Sequence, residues 1–197
     1  MRIAIVTHPR SGGFSFLGWL ASELECESIH EPFSEKTIPP NLFTSPNLVV
    51  KIFPSEIYSA GLPLVETLSK FDFLICHKRM NLEETSISTV RQSESGISHE
   101  VYTVDEEWIS QHQNKIDSTK NSILHAHAEI DAVYSAFKTS ALQTTYEGLY
   151  LNRQDRERIH KYLRWEKPFR FMDMLDTKRR LRGGTIGMKD LNSVRLI

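Results

Sequence analysis

Arg10 and Ser11 stand between Pro9 and the pair Gly12-Gly13, in the run Thr7-His-Pro-Arg-Ser-Gly-Gly-Phe-Ser-Phe-Leu17. A guanidinium among glycines and small hydroxyl residues is the composition of a loop that closes on a phosphate. Glycines let the backbone approach the anion, Arg10 supplies a fixed charge, and Ser11 and Ser15 supply hydroxyl donors. A triphosphate loop of the form G-x-x-x-x-G-K-[ST] is excluded, because the chain contains no Gly-Lys pair. The alternative on this evidence alone is an ordinary strand-to-helix turn.

Two more runs combine cations with hydroxyls or glycines: Lys78-Arg-Met-Asn-Leu-Glu-Glu-Thr-Ser-Ile-Ser88 and Arg182-Gly-Gly-Thr-Ile-Gly-Met-Lys189. An Arg among flexible glycines can lay backbone amides on an anion, whereas the first run could equally be a solvated helix start. Lys51 is polar within the apolar run Leu48-Val-Val-Lys-Ile-Phe53, and a strand Lys with its head at an edge is common. His125 and His127, two apart on a helix, point to nearly opposite sides and make a poor metal pair. Cys76 ends an apolar run and reads as core, and packing is the safer role for Trp108 and Trp165.

The elements that must position these residues alternate. Arg2 to Thr7 is a short β-branched run that reads as a buried strand, and from Phe14 to Leu24 the apolar residues recur at helical spacing. Strand, glycine loop and helix in that order aim backbone N–H groups at an anion. Further strands are expected at Ser28 to His30, Leu48 to Phe53, Phe71 to Cys76 and Ala141 to Tyr146. Helices are expected from Pro63 to Lys70, from Leu82 to about Gln92, and from Asn152, as cap, through Leu163. Ser93 to Ser98 reads as loop. Thr103-Val-Asp-Glu106 reads as a capping box opening a long segment without Gly or Pro. There Ile109, Ile116, Ile123, Ile130 and Phe137 fall every seven residues, a stripe expected to pack on the sheet rather than in a coiled coil. The expected fold is a single α/β domain over residues 1–197, three-layered and P-loop-like. Its central parallel sheet is flanked by helices, with the site at the strands' carboxyl ends.

Taken in order, the motifs resemble those of PAPS-dependent sulfotransferases of the bacterial type. Pro9-Arg-Ser-Gly12 is similar to their 5′-phosphosulfate loop, P-[KR]-[ST]-G-[ST]-T, with Gly13-Phe14 where two hydroxyl residues are usual and Ser15 next. Arg79 with Asn81-Leu82 and Ser88 resembles the R-R-N-L-L-E-Q-A-V-S segment that grips the cofactor's 3′-phosphate; Lys78 with Ser86 is the reserve pairing. Arg182-Gly-Gly-Thr-Ile-Gly is similar to the late R-K-G-x-x-G loop, and Tyr146-Glu-Gly-Leu149 to Y-E-D-L. The resemblance implies that Arg10, Ser11, Gly12, Gly13, Phe14, Ser15, Arg79, Ser88, Arg182 and Gly184 bind 3′-phosphoadenosine 5′-phosphosulfate (PAPS), releasing adenosine 3′,5′-bisphosphate. It also implies that Glu31, after the second strand in His30-Glu-Pro-Phe33, is the general base, with His30 as its rival. Arg10 and Lys51 would place charge on the leaving oxygen. No metal is expected.

Composition sets the remaining bounds. The chain of 197 residues is 40% apolar and 25% charged, which is globular and excludes fibrous and disulfide-scaffold classes. The net charge of −1 conceals an asymmetry. Residues 1–150 carry 11 Lys+Arg against 19 Asp+Glu, and residues 151–197 carry 13 against 6. A basic C-terminal quarter first suggests nucleic acid, but the Arg182 loop accounts for it as a nucleotide contact, so nucleic acid is not expected. Two cysteines, the absence of a membrane-length apolar run and the lack of a signal-peptide pattern lead to an expected cytoplasmic location. The expected function is sulfuryl transfer from PAPS to an acceptor hydroxyl on a carbohydrate, lipid or other small molecule. A divergent nucleotide kinase and a non-catalytic nucleotide- or nucleic-acid-binding module are the alternatives.

Overall fold

The computed structural model describes residues 1–34, 38–96 and 105–166. The first strand, β1 (Arg2–Val6), is followed by α1 (Gly13–Leu24), β2 (Glu27–His30) and β3 (Leu48–Ile52). Two short helices, α2 (Pro54–Ser59) and α3 (Leu64–Leu68), lead to β4 (Phe73–Lys78). Next come α4 (Leu82–Ser95), α5 (Glu106–Ala136), β5 (Ala141–Thr145), α6 (Tyr146–Tyr150) and α7 (Gln154–Leu163). The five strands form one sheet in the order β2-β3-β1-β4-β5, and every pairing is parallel. Parallel neighbours require crossovers; helices lie on those from β1 to β2, from β3 to β4 and from β4 to β5, whereas the described residues between β2 and β3 form turns without a helix.

The middle strands are apolar on both faces because both faces are covered. On one side Ile3, Ile5, Val49 and Ile75 pack against Phe16, Leu17 and Leu20 of α1 and against Ile159 and Leu163 of α7. On the other, Ala4, Val6, Val50, Leu74 and Cys76 pack against Ile57 of α2, Leu68 of α3 and Ile130 and Val133 of α5. Two helical layers thus sandwich the sheet, giving the three-layer α/β arrangement that the alternation of elements predicts. Cys76 is fully buried, and burial pushes its thiol up to about 12, which suits a core residue. No helix among the described residues is long and apolar enough to cross a membrane.

Several boundaries differ from the sequence reading. The Ser-rich stretch does not open a loop at Ser93, because α4 continues to Ser95 and ends at Gly96 in the left-handed conformation (φ 67°). Asp105, not Thr103, caps α5, its side chain accepting from Trp108 N; Thr103 itself lies outside the described residues. The heptad stripe of α5 divides its duties: Ile130 packs on the sheet, whereas Ile116 meets Ile87 and Val90 of α4. The sequence reading missed α2 and α6; Tyr146 begins α6 rather than closing β5, and Thr145 caps it by accepting from Gly148 N at 2.9 Å. Asn152 does cap the first turn of α7, accepting from Gln154 N at 3.2 Å, although the residue at the helix boundary is Arg153.

Ile130 is fully buried under the sheet, and Leu124 on the same helix is half exposed. Ile130→Ala is expected to cost about 2–4 kcal/mol in urea denaturation and Leu124→Ala less than about 0.5 kcal/mol. Equal costs would contradict the assignment of α5 to the sheet face.

Candidate functional site

From β1 the chain crosses to β2 on one side of the sheet, and from β4 it crosses to β5 on the other. The two adjacent strands therefore release their loops in opposite directions, opening a crevice at their carboxyl ends, where α/β sheets bind ligands. The β1 loop is held from below. Thr7 Oγ1 donates to the His77 carbonyl at 2.8 Å and lies 2.6 Å from Ser11 Oγ, which accepts from Gly13 N. His77, fully buried at the end of β4, donates Nε2–H to the Ser11 carbonyl at 3.1 Å while Nδ1 accepts from Thr144 Oγ1 at 3.0 Å. These two bonds fix the tautomer. Burial pushes the imidazole down to about 4, so it stays neutral.

Arg10 and Gly12 both adopt positive φ, 61° and 83°. At Gly12 this is combined with close approach. The Tyr150 hydroxyl donates to the Gly12 carbonyl at 2.9 Å, and a Cβ on Gly12 would lie 2.7 Å from the Tyr146 ring. Tyr146 and Tyr150, stacked at 4.5 Å, form a platform under the loop, and Ser15 lies in hydrogen-bonding reach of the Tyr150 hydroxyl. No acidic residue occupies the first turn of α1 and no side chain caps it from Gly12. Ser11 Oγ takes the Gly13 N–H, and no acidic side chain of the first turn faces the positive end of the helix.

Cations line the crevice from both strands. Arg10 Nε donates to Ser88 Oγ at 2.9 Å, joining two residues that lie 78 positions apart and that the motifs assigned to the same nucleotide. Arg79 is buried, donates to Glu84 Oε2 at 2.7 Å, and lies over the Tyr146 ring at 4.5 Å. Its Nε is buried with no acceptor among the described residues. Ser88 accepts from Arg10 rather than from Arg79. The reserve pairing does not converge, since Lys78 pairs with Asp131 of α5 at 2.7 Å and Ser86 Oγ turns back to the Leu82 carbonyl. Arg182 and Gly184 lie outside the described residues.

One strand further along, Glu31, Lys51 and His30 converge. His30 and Lys51 are register partners across β2 and β3. Lys51 Nζ donates to Glu31 Oε1 and sits 2.9 Å from His30 Nε2, which is itself 3.3 Å from the same Glu31 oxygen. Phe53 lies beneath the ammonium at 4.1 Å, and Phe14 meets the His30 ring edge-on at 5.1 Å. Glu31 carries φ 53°, a rare backbone state that costs free energy and turns its carboxylate back over β3. The Lys51 side chain passes under Gly13, where a Cβ would meet Lys51 Cδ at 3.4 Å, so the cluster adjoins the β1 loop. Burial pulls the Lys51 amine below its ordinary value. A carboxylate, an imidazole and an ammonium in one cluster can accept a proton and present positive charge together.

Four side chains have roles that the sequence reading did not assign. Glu56 of α2 has its carboxyl pushed up to about 7 by burial and by the neighbouring Glu31 charge. Pro54 at the first helical position with Glu56 two residues on was its available signal. The Glu147 carboxylate accepts from Met80 N and Asn81 N, holding the β4–α4 loop. His8 and His127 lie Nε2 to Nε2 at 3.0 Å, a pairing over 119 positions that leaves no local trace. Among the described residues no group of three or more His, Cys, Asp or Glu is arranged to hold a metal ion.

Two glycines of one helix-loop unit should respond oppositely to the same change. Gly12→Ala forces an L side chain into φ 83° against Tyr146 and is expected to destabilise by more than about 1–2 kcal/mol. Gly18→Ala, inside α1 with nothing within 4 Å of the new Cβ, is expected to stabilise by about 0.5–1 kcal/mol. Urea denaturation of the two variants checks both signs.

Comparison of the chain with protein-family models, with curated proteins and with solved structures gave no match.

Proposed function

We propose that this chain is a sulfotransferase that moves a sulfuryl group from PAPS to an acceptor hydroxyl. The observation that carries the reading is the bond between Arg10 and Ser88 across the β1/β4 crevice, with buried Arg79 beside it and the Lys51–Glu31–His30 cluster adjoining the same loop. The donor set suits a nucleotide with phosphate at both ends. Arg79 Nε is a buried donor lacking an acceptor among the described residues, and such a group costs roughly 1–3 kcal/mol until one arrives. The first turn of α1 adds amides with no acidic side chain to compete.

In this reading Arg10, Ser11, Gly12, Gly13, Phe14 and Ser15 hold the 5′-phosphosulfate, and Arg79 and Ser88 hold the 3′-phosphate. Arg182 and Gly184 join them by resemblance alone. When bound, PAPS supplies an activated sulfur whose bond to the 5′-phosphate oxygen is ready to break. Glu31 takes the proton of the acceptor hydroxyl, with His30 within 3.3 Å as the alternative acceptor. A protonated Glu31 holds Lys51 less strongly, which leaves the buried ammonium available to an anionic neighbour. Arg10 keeps fixed positive charge at the mouth of the loop, where it is worth more than in bulk water.

A thermal-shift comparison across adenosine 3′,5′-bisphosphate, ATP and NAD separates this reading from its rivals, because a ligand that binds only the folded state raises apparent stability. The bisphosphate alone is expected to shift the transition; a shift with ATP alone would favour a kinase. Arg10→Ala is expected to abolish detectable transfer and to weaken bisphosphate affinity, and near-normal turnover would overturn the loop assignment.

Glu31→Gln keeps size and most hydrogen bonds but cannot take the proton, so single-turnover rate is expected to fall by roughly 10²–10⁴ with bisphosphate affinity preserved. An unchanged rate would move the base to His30. Loss of rate and affinity together would make Glu31 structural.

A further inference from the structure

His8, in the loop after β1, is buried, as is His127 of α5. Their hydrogen bonds fix both tautomers. His8 Nδ1 lies 2.8 Å from the Pro9 carbonyl, which can only accept, so Nδ1 carries the hydrogen and Nε2 is the lone-pair nitrogen. That Nε2 accepts from the Arg79 backbone N–H at 3.3 Å and from His127 Nε2–H at 3.0 Å. One unprotonated nitrogen thus joins three elements: the β1 loop, the start of the β4–α4 loop and α5.

Once that nitrogen carries a proton it has no lone pair left for Arg79. Protonating His8 Nε2 would turn its N–H against the Arg79 N–H, which cannot reverse its role, and the bond to His127 would survive only if His127 moved its own hydrogen to Nδ1. The charged surroundings add to this. Arg79 and Lys78 face the pair from the end of β4, and His127 and His77 lie near His8. Asp131 on α5 and Glu147 on α6 favour charge on His127, but Asp131 is paired with Lys78 and Glu147 is committed to the Met80 and Asn81 amides. Glu84 on α4 is paired with Arg79.

We propose that His8 and His127 form an acid-labile latch whose neutral form positions Arg79 and the β1 loop across the crevice, and whose protonation releases them. Both are positioning residues. The proposal concerns the crevice itself and stands apart from the sulfuryl-transfer reading.

The sign follows from linkage. Burial lowers both imidazoles from 6.5, His8 to about 3, whereas in the open state each returns towards 6.5. The open state therefore binds more protons, and the closed latch is favoured above about pH 6.5 and lost progressively as pH falls below it. Between pH 7.5 and 5.0, His8 alone is expected to increase opening about 30-fold, and His127 adds to this.

Hydrogen exchange at the Arg79 amide, corrected for intrinsic exchange, reads the latch without any nucleotide. Protection is expected to fall at least about 30-fold over that range in the unaltered protein. In His8→Gln, whose carbonyl oxygen still accepts but does not titrate, it should fall far less. Arg79 protection that is flat with pH in the unaltered protein, or His8→Gln with the same pH dependence as the unaltered protein, would overturn the proposal. Should His8→Gln not fold, NMR titration of the two imidazoles in the unaltered protein decides. Titration of His8 far below 6.5 supports the latch, and titration near 6.5 with Arg79 protection unchanged refutes it. Failure of nucleotide to bind would leave these outcomes intact and would bear on the functional reading alone.

Discussion

Everything at the carboxyl edge depends on β1 being the central strand of an all-parallel sheet. With β3 on one side and β4 on the other, its backbone is paired along both edges and its side chains are buried on both faces. The strand cannot shift register without turning Ile3 and Ile5 to the layer that Ala4 and Val6 occupy. The loop that follows is consequently delivered to a fixed point. Thr7, His77 and Ser11 then tie that point to the end of β4, and Tyr150 ties it to α6.

Polar groups are buried here at a density the rest of the fold avoids. Thr7, His8, Ser11, Lys51, His77, Arg79, Ser86 and Ser88 are all buried, and most lie at strand ends or in the turns beyond them. Burial of a cation is costly unless it is paired, and the pairing differs from residue to residue. Lys51 is answered by Glu31 and His30, whereas Arg79 has Glu84, a Tyr146 face and one donor with no acceptor among the described residues. The histidines solve the same problem by staying neutral, His77 and His8 because burial penalises the charged imidazole. Elsewhere, as along the α4–α5 hairpin, charged residues such as Glu94 and Lys115 meet at the surface and contribute little.

Which elements form was largely legible in the residues. The β-branched runs at Arg2 to Val6 and Leu48 to Ile52 and the helical spacing from Phe14 to Leu24 are local patterns, and local patterns survive folding where a core takes up the apolar face. The glycine loop was legible for the same reason: a left-handed turn next to a tyrosine platform demands glycine at position 12. Boundaries were less so. Ser93 and Ser95 read as loop by composition, yet α4 carries through them to Gly96, because Val90 packs with Ile116 of α5 and carries the helix on. The apparent end of β5 at Tyr146 concealed a helix capped by Thr145.

The sequence by itself determined the chemistry on offer: an Arg in a glycine loop, a Lys inside an apolar strand, a Glu after a short strand, and an Arg and a Ser at a strand-to-helix junction. The tertiary structure alone decided which of these meet. Arg10 reaches Ser88 because strand order places β4 beside β1, and Lys51 reaches Glu31 because β2 and β3 are register partners. The reserve pair Lys78 and Ser86 separates because successive residues of a strand face opposite layers, which sends Lys78 to Asp131 on α5. His8 and His127 have no shared local pattern, and only the packing of α5 against the β1 loop brings them together. Local spacing encodes faces and turns, whereas contacts between distant residues are set by strand order and register, which no single stretch of sequence contains.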